Sequence, residues 1–333
     1  MRPEYAAGVR NAVRTCLGIE ARDRVAVIRD RDRGEIAAAI EEEIEATGAR
    51  RESWLLEALG ERPLLALPSA FGDEIAAFRP SASLFVAGGR PGEIAFRKPL
   101  LELLTGVLGS RHGHMIGIDH RLMLDGMAAD YEEVHRVTRL IYEIVRSAGR
   151  IEVGTRKGTD LFATFSPRHR WVPCDGRYHE RGQWGNLPEG EVFTAPLSVD
   201  GLLVGEEMGD YFAERDGVLD PPVRIRIQAG RVTSVELPGR PEVLSEFEAY
   251  LGQHPESNRA GEFAIGTNVT LRRIVGNFLQ DEKFPGVHVA FGDPYGHHTG
   301  ADWSCPSHVD VLASQATVAV DGRRIMEDGR FLI

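Results

Sequence analysis

Short apolar runs alternate with amphipathic stretches through the first half of the chain. Residues 25–28 are all apolar and predict a buried strand, and Ile36, Ile40 and Ile44 then recur with the helical period before Gly48, a residue suited to a helix C-terminus. Further strands are predicted at 54–56, 84–87 and 115–118, and helices around 75–78, over 94–108 and from about Asp130 to Gly149. This alternation is typical of βα units around a mostly parallel sheet.

After residue 150 the pattern changes to alternating strands separated by turns that contain glycine. Strands are predicted at 161–165, 201–204, 223–227, 232–237, 287–291 and 308–312, with a helix over 242–251. This half therefore predicts antiparallel pairing. The expected fold class is α/β: an N-terminal α/β domain over 1–149 with a mostly parallel sheet, and a C-terminal α+β domain over 150–333.

Length, charge and cysteine content narrow the class of protein. A chain of 333 residues exceeds the usual size of one core, which agrees with two domains. The net charge of −11, without a basic block, argues against a nucleic-acid partner. Three widely spaced cysteines indicate neither disulfides nor a cysteine zinc site, and no segment has the length and apolarity of a signal peptide or membrane span. We expect a cytoplasmic protein.

Histidines are concentrated near the C-terminus, where His288, His297, His298 and His308 fall within a short segment. His308 and Asp310 are two residues apart in a predicted strand, so both side chains point to one face and form a candidate ligand pair. His288 alternates with apolar neighbours and is either a core histidine or a ligand. The adjacent His297 and His298 point apart in extended chain, and their roles stay open.

Five ordered motifs resemble those of the aminopeptidase T (thermophilic leucyl aminopeptidase) metallopeptidase family. They are NLPEGEVFTAP at 186–196, GEFAIGTN at 261–268, DEK at 281–283 followed by HVAFGD at 288–293, HVD at 308–310, and the MEDG hairpin at 326–329. The resemblance is weak before residue 150 and strong from about residue 158 to the end. It implies a metal-dependent hydrolase with its site in the C-terminal domain.

The resemblance also implies a dinuclear metal site and a role for each matching residue. The implied ligands of two divalent ions, zinc or cobalt, are Glu191, Glu262, His288, Tyr295, His308 and Asp310. Glu282 is the implied general base that takes a proton from the attacking water. The expected substrate is a small peptide or amide with a free N-terminus, and the expected assembly is a homodimer.

A second enzyme class fits part of the same residue set. Ring-cleaving 2,5-dihydroxypyridine dioxygenases are similar to this family and hold one Fe(II) with two histidines and one aspartate, for which His288, His308 and Asp310 suffice. Glu191 and Glu262 distinguish the two readings, because a dinuclear hydrolase needs them and a mono-iron oxygenase does not. The sequence leaves open the metal, the preferred N-terminal residue and the natural substrate.

Overall fold

The computed structural model describes residues 3–333 and contains short helices and many strands. In chain order the helices are α1 (Ala6–Arg10), α2 (Gly34–Ala46), α3 (Ser69–Phe78), α4 (Ile94–Leu101), α5 (His120–Leu124), α6 (Tyr131–Val145), α7 (Tyr211–Asp216), α8 (Pro241–Gly252), α9 (Phe278–Asp281) and α10 (Gly296–Thr299). The strands are β1 (Arg24–Arg29), β2 (Arg50–Leu55), β3 (Ala82–Ala87), β4 (Arg111–Ile116), β5 (Arg150–Gly154), β6 (Asp160–Thr164), β7 (Val172–Cys174), β8 (Trp184–Asn186), β9 (Glu191–Thr194), β10 (Ser198–Gly205), β11 (Glu207–Met208), β12 (Val223–Gln228), β13 (Arg231–Glu236), β14 (Ala260–Gly266), β15 (Gly286–Gly292), β16 (His308–Ser314), β17 (Thr317–Val320), β18 (Arg323–Glu327) and β19 (Arg330–Phe331). Five 3-10 or π-helical segments complete the set, at Pro3–Tyr5, Asn11–Cys16, Leu56–Ala58, Glu102–Val107 and Gly126–Ala128.

A five-stranded parallel sheet with the order β2-β1-β3-β4-β8 forms the centre of the first part of the molecule. Every residue of β3 is buried, as expected for a strand in a parallel sheet whose two faces are both covered. The edge strand β8 comes from much later in the chain and pairs with β4.

Two antiparallel sheets build the second part. One has eight strands in the order β13-β12-β10-β6-β5-β17-β18-β19, and the other has six in the order β11-β16-β15-β14-β9-β7. A single hydrophobic cluster joins them: Leu161 and Leu203 enter it from the eight-stranded sheet, and Val289 and Val311 from the six-stranded sheet. The six-stranded sheet therefore buries one apolar face and leaves its other face for polar side chains.

The observed sheets confirm the predicted fold class, since β1 to β4 are parallel and precede the antiparallel strands, and only β8 joins the parallel sheet from later in the chain. The helix over Gly34–Ala46 ends as expected, because Gly48 takes a φ of +81° beyond it. The strand predicted at 115–118 instead spans Arg111–Ile116. Its buried run was hidden in the sequence because two of the buried residues are the polar His112 and His114.

The chain divides into two compact units, Met1–Glu132 with Gly176–Glu189 and Glu133–Asp175 with Gly190–Ile333. These bounds differ from the predicted halves 1–149 and 150–333, because α6 crosses the division and β8 belongs to the first unit. Whether the predicted halves are independent domains stays a prediction. Among the described residues, no helix combines the length and apolarity needed to cross a membrane.

A chain of polar side chains runs from the half-buried Arg97 of α4 through two buried histidines of β4 to the buried Ser83 of β3. Arg97 Nη1 lies 3.3 Å from His114 Nε2, His114 Nδ1 lies 3.1 Å from His112 Nε2, and His112 Nδ1 lies 2.8 Å from Ser83 Oγ. A guanidinium only donates, so His114 Nε2 accepts, and each histidine then donates from Nδ1 to the next group. Both rings are neutral in this arrangement. Burial lowers the pKa of His112 to about 3 and that of His114 well below its usual range.

This arrangement predicts that acid destabilises the fold. The pKa of His112 is 6.5 when exposed and about 3 when folded, so its neutral form is favoured above pH 6.5 and stability is lost as the pH falls. At pH 5, protonation of this one residue in the unfolded state lowers the free energy of unfolding by about 2 kcal/mol. Urea unfolding at pH 7 and pH 5 measures the change. We expect His112→Gln to reduce it and His254→Gln, outside this network, to leave it intact; equal pH dependence in wild type and His112→Gln would contradict the prediction.

Candidate metal centre

Four neighbouring strands, β9, β14, β15 and β16, carry apolar side chains on one face and polar side chains on the other. On β16, Val309 and Val311 enter the hydrophobic cluster, while His308 and Asp310 alternate with them and point to the opposite face. The polar face also receives Glu191 at the start of β9, Glu262 within β14 and His288 within β15. The predicted same-face pairing of His308 and Asp310 is thus present.

The sheet register places a small residue opposite most of these polar side chains. Glu191 pairs with Gly266, His288 with Ala264, Asp310 and Glu262 each with Ala290, and His308 with Gly292. Gly292 has a φ of +114°, and a Cβ there would stand 2.1 Å from the Ser307 carbonyl oxygen. The small residues leave room above the sheet in which the charged side chains converge.

The imidazoles lie between the carboxylates. His288 Nε2 is 3.4 Å from both Glu191 Oε2 and Glu262 Oε1, and 4.0 Å from Asp310 Oδ1. His308 Nε2 is 3.8 Å from Glu262 Oε2 and 3.4 Å from Asp310 Oδ1. All five side chains therefore lie around one small volume, and all except His308 are buried.

Both histidines present Nε2 to the carboxylates. His308 Nδ1 donates to the Asp293 carbonyl oxygen at 2.9 Å, which fixes the ring and leaves Nε2 free to bind a cation when the imidazole is neutral. His288 packs edge to face against Phe278, with the ring centres 6.2 Å apart, and its Nδ1 has no hydrogen-bond partner among residues 3–333. Packing against Phe278 and the contacts of Nε2 with the carboxylates therefore orient His288.

A buried lysine joins the cluster to the predicted general base. Lys283 is 1% exposed, and its Nζ lies 2.7 Å from Glu191 Oε1 and 2.8 Å from Glu282 Oε1. An ammonium in this position offsets the charge of both carboxylates and holds Glu282 beside the cluster. The DEK motif contains Lys283, but the motif alone indicates no role for it.

Tyr295 lies at the outer side of the cluster. Its ring is 4.5 Å from that of His308 and 6.1 Å from that of Phe193, and its backbone adopts a φ of +49°. Although 40% of the residue is exposed, burial of its hydroxyl group and the carboxylates of Glu262 and Asp310 raise its pKa well above the usual range. The backbone strain fits a residue whose position serves a site.

The surrounding carboxylates raise the pKa values of both histidines. Burial opposes a charge on His288, but the hydrogen bond to Glu262 and the charge of Glu191 outweigh it and raise the pKa to about 9. Burial also opposes a charge on His308, and Asp310 outweighs it and raises that pKa to about 10. Protons therefore occupy the positions that a metal ion would take.

The buried carboxyl groups differ in the direction in which their pKa values are shifted. Burial raises the pKa of Glu262, and it raises that of Glu282 to about 7 against the opposing effect of Lys283. Asp310 is also buried, but His308 holds its pKa below the usual value. Asp310 is thus an anion at neutral pH, whereas Glu282 can exchange a proton in the range where a general base operates.

The donor atoms fit a divalent metal ion. Glu191, Glu262 and His288 offer ligand atoms within 4.8 Å of one another, and so do Glu282, His288 and Asp310. Glu191 Oε2 is buried and has no hydrogen-bond partner among the described residues, which is unusual for a carboxylate oxygen. Mixed carboxylate and imidazole ligands suit zinc-like ions.

The structure brings together the predicted residues of four of the five motifs, whereas the MEDG hairpin supplies none of them. Two other histidines make different contacts. His297 and His298 lie in α10, where their carbonyl oxygens accept hydrogen bonds from Arg170. Besides Lys283, two buried acids lie near Glu282 without a role predicted from the sequence, Glu207 and Asp281. Asp281 belongs to the DEK motif, but no local pattern indicates its contact with Glu207, because the two residues are far apart in the chain.

Two solved structures with the same fold match nearly the whole chain. Wild-type AmpT from Thermus thermophilus is 18% identical, with a TM-score of 0.73, and the match covers 100% of this chain and 99% of that one. A 2,5-dihydroxypyridine dioxygenase from Pseudomonas putida KT2440 is 17% identical, with a TM-score of 0.69, and covers 98% and 96%. The comparison with curated sequences gives no match. At these identities the likeness establishes the fold only.

The buried Glu, His and Asp donors fit the class of metal-dependent enzymes. Within that class, the chain belongs to the thermophilic metalloprotease family (M29), whose sequence model matches residues 121–322. This membership confirms the family resemblance of the sequence motifs and makes the protein a metal-dependent peptidase, a hydrolase. The matched segment contains all the predicted site residues.

A metal ion that binds His288 and His308 displaces their protons, so its affinity is expected to depend on pH. With pKa values of about 9 and 10, His288 and His308 are protonated at pH 7, so metal binding through both must release up to two protons. Affinity then rises with pH, by up to about a hundredfold per unit between pH 6 and 8. Calorimetric titration with Zn²⁺ in buffers of different ionisation enthalpy counts the protons.

The exposed His297 offers a matched control for this titration. We expect His297→Ala to bind metal and release protons as the wild type does, and His308→Ala to bind more weakly and release fewer. An affinity that does not change between pH 6 and 8 would show that neither imidazole binds the metal.

Proposed function

We propose that the protein is an aminopeptidase that releases the N-terminal residue of a small peptide or a related amide. The observation that supports this most is the convergence of Glu191 and Glu262 with His288, His308 and Asp310 on one sheet face, in a chain of a metalloprotease family. A single metal bound by two histidines and an aspartate would not need the two glutamates.

In this proposal two divalent ions are held by Glu191, Glu262, His288, Tyr295, His308 and Asp310. When bound, such ions supply Lewis acidity that polarises the scissile carbonyl and lowers the pKa of water, and they accept a free α-amine as a ligand. Zinc or cobalt suits these oxygen and nitrogen donors. The homodimer expected from the family resemblance also stays a prediction.

Glu282 is the general base of the proposed reaction. Its carboxylate accepts a proton from the attacking water and returns it to the amine of the leaving peptide, so that no net proton is consumed. Burial raises its pKa to about 7, which suits both transfers near neutral pH. Lys283, 2.8 Å away, holds Oε1 of Glu282 and leaves its other oxygen available for the water.

The carboxylates also favour a substrate with a free N-terminus. An α-ammonium or amine approaching the polar face meets Glu262 and Asp310, both buried and both close to histidines that yield their protons when metal binds. A blocked N-terminus lacks this attraction and this ligand. Cleavage is therefore expected one residue from the N-terminus.

The alternative is a ring-cleaving dioxygenase with one Fe(II). His288, His308 and Asp310 form a two-histidine, one-carboxylate set on adjacent strands, and a dioxygenase shares this fold. It differs from the peptidase in the number of metal ions and in the consumption of O₂.

Metal stoichiometry of glutamate variants distinguishes these two functions. Glu191→Ala and Glu262→Ala each remove one anionic ligand, so we expect bound metal to fall from two ions per chain toward one and release of N-terminal residues to be lost. Elemental analysis of the purified proteins and an aminoacyl-amide assay measure both. Glu214→Ala, which changes an exposed glutamate of α7, should leave both values at the wild-type level.

O₂ uptake with an aromatic diol or dihydroxypyridine is measured on the same samples. One iron per chain in the wild type and in both glutamate variants, with substrate-dependent O₂ uptake and no amide hydrolysis, would establish the dioxygenase and refute the peptidase.

Glu282→Gln tests the general base. The amide keeps the size of the side chain but accepts no proton, so we expect turnover to fall by on the order of 10² or more while bound metal is unchanged. Glu248→Gln on the exposed side of α8 is the control for the substitution itself. A loss of metal in Glu282→Gln would make Glu282 a ligand, which its position near His288 and Asp310 permits.

A further inference from the structure

Glu207 is a fully buried acid outside the proposed ligand set. It lies in β11, the edge strand that pairs with β16, where its register partner is Leu312. It is 0% exposed, and neither of its carboxyl oxygens meets a hydrogen-bond donor among residues 3–333. A buried carboxylate without a donor is costly, so this group needs either a cation or a proton.

The group that faces Glu207 is Asp281, at the end of α9. Asp281 Oδ2 accepts three backbone hydrogen bonds, from Val275 and Gly276 at 2.7 Å and from Asn277 at 3.2 Å. Its Oδ1 is buried and meets no donor. The two carboxyl groups are within hydrogen-bonding distance of each other.

Two carboxyl groups in this contact share one proton, and the hydrogen bonds decide which of them holds it. The three N–H donors stabilise a charge on Asp281, and no donor stabilises one on Glu207. Burial and the adjacent Asp281 raise the pKa of Glu207 to about 10. The geometry and the electrostatics thus agree that Glu207 is a neutral acid at pH 7.

Within residues 3–333, the charges recorded as acting on Glu207 are all those of acids. The titratable groups that act on it are Asp281 and Glu282 from the chain around α9 and Glu206, the residue just before β11, and its register partner on β16 is Leu312. Glu206 has its own partners, with Lys157 at 2.6 Å and the Ser314 hydroxyl at 2.6 Å. All three neighbouring charges are negative and favour the protonated form.

We infer that Glu207 is a positioning residue, which donates a hydrogen bond from its carboxylic acid to Asp281 Oδ1 and so fixes the turn 275–283 against β11. The same Asp281 side chain gathers the backbone amides of Val275, Gly276 and Asn277. The next two residues along the chain are Glu282 and Lys283. The link therefore connects the edge of the sheet to the residues beside the carboxylate cluster, and its effect on catalysis rests on the proposed role of Glu282.

Glu207→Gln and Glu207→Met separate the hydrogen bond from mere packing. Glutamine keeps a donor to Asp281 without a titratable proton, whereas methionine fills similar space without a donor. In the purified full-length protein we expect the amides of residues 275–277 to exchange with deuterium at least about fivefold faster in Glu207→Met and at the wild-type rate in Glu207→Gln. Unchanged exchange in Glu207→Met would overturn the inference.

Stability as a function of pH tests whether Glu207 is protonated. Its pKa is 4.5 when unfolded and about 10 when folded, so the wild type loses stability relative to Glu207→Gln as the pH rises through this range. The ratio of the two unfolding constants should change by up to about tenfold per pH unit between pH 5 and 9. Glu206→Gln is the control, because its ratio to wild type should not follow this slope. A constant ratio for Glu207→Gln would show an ionised Glu207 and overturn the inference.

Activity measurements connect the turn to the reaction. We expect kcat to fall by on the order of tenfold in Glu207→Met, with KM and bound metal unchanged, and to recover in Glu207→Gln. Faster exchange in Glu207→Met with unchanged kcat would refute the positioning role. Absence of amide hydrolysis in the wild type would instead refute the proposed function, and the exchange and stability results would still decide the state of Glu207.

Discussion

Burial of several acids on one face of the six-stranded sheet is the constraint on which the candidate site depends. Glu191, Glu262 and Asp310 are each less than one-tenth exposed, so their charges are poorly hydrated and repel one another. Lys283 places its amino group 2.7 Å from Glu191, and His288 and His308 offset further negative charge by taking up protons. Divalent ions would offset the negative charge of these carboxylates with more positive charge in a smaller volume. The cluster is therefore suited to bind metal ions in exchange for protons.

The positions of these charges follow from the alternation of the strands. Each ligand candidate except Tyr295 shares a strand with apolar residues that enter the hydrophobic cluster, so packing of one face sets the geometry of the other. Glu282 and Lys283 differ, since they come from the chain after the short helix α9. Their positions depend on polar contacts instead, and Asp281 with its three amide donors is the central one.

Local sequence patterns predicted the features that depend on residues close together in the chain. The period of two in a strand placed His308 and Asp310 on one face, and the order of elements indicated a parallel sheet followed by antiparallel ones. The meeting of Glu191 with His288 depends on β9, β14 and β15 pairing across long stretches of chain, which no local pattern specifies. Family motifs supplied that information. Neither local patterns nor family motifs predicted the contact of Glu207 with Asp281. The same holds for the pairing of β8 with β4 in the parallel sheet.

Charge balance bears on the choice between the two metal centres. Glu191, Glu262, Glu282 and Asp310 form one acidic cluster, and Lys283 offsets only part of it. A single divalent ion on His288, His308 and Asp310 would leave the two other buried glutamates dependent on Lys283 or on retained protons, at a cost in desolvation. Two divalent ions would offset the cluster without protons and would use Glu191 Oε2, the buried oxygen that has no hydrogen-bond partner in the described chain. The excess of carboxylate, which raises the pKa of both histidines, therefore supports the proposed dinuclear hydrolase over the mono-iron oxygenase.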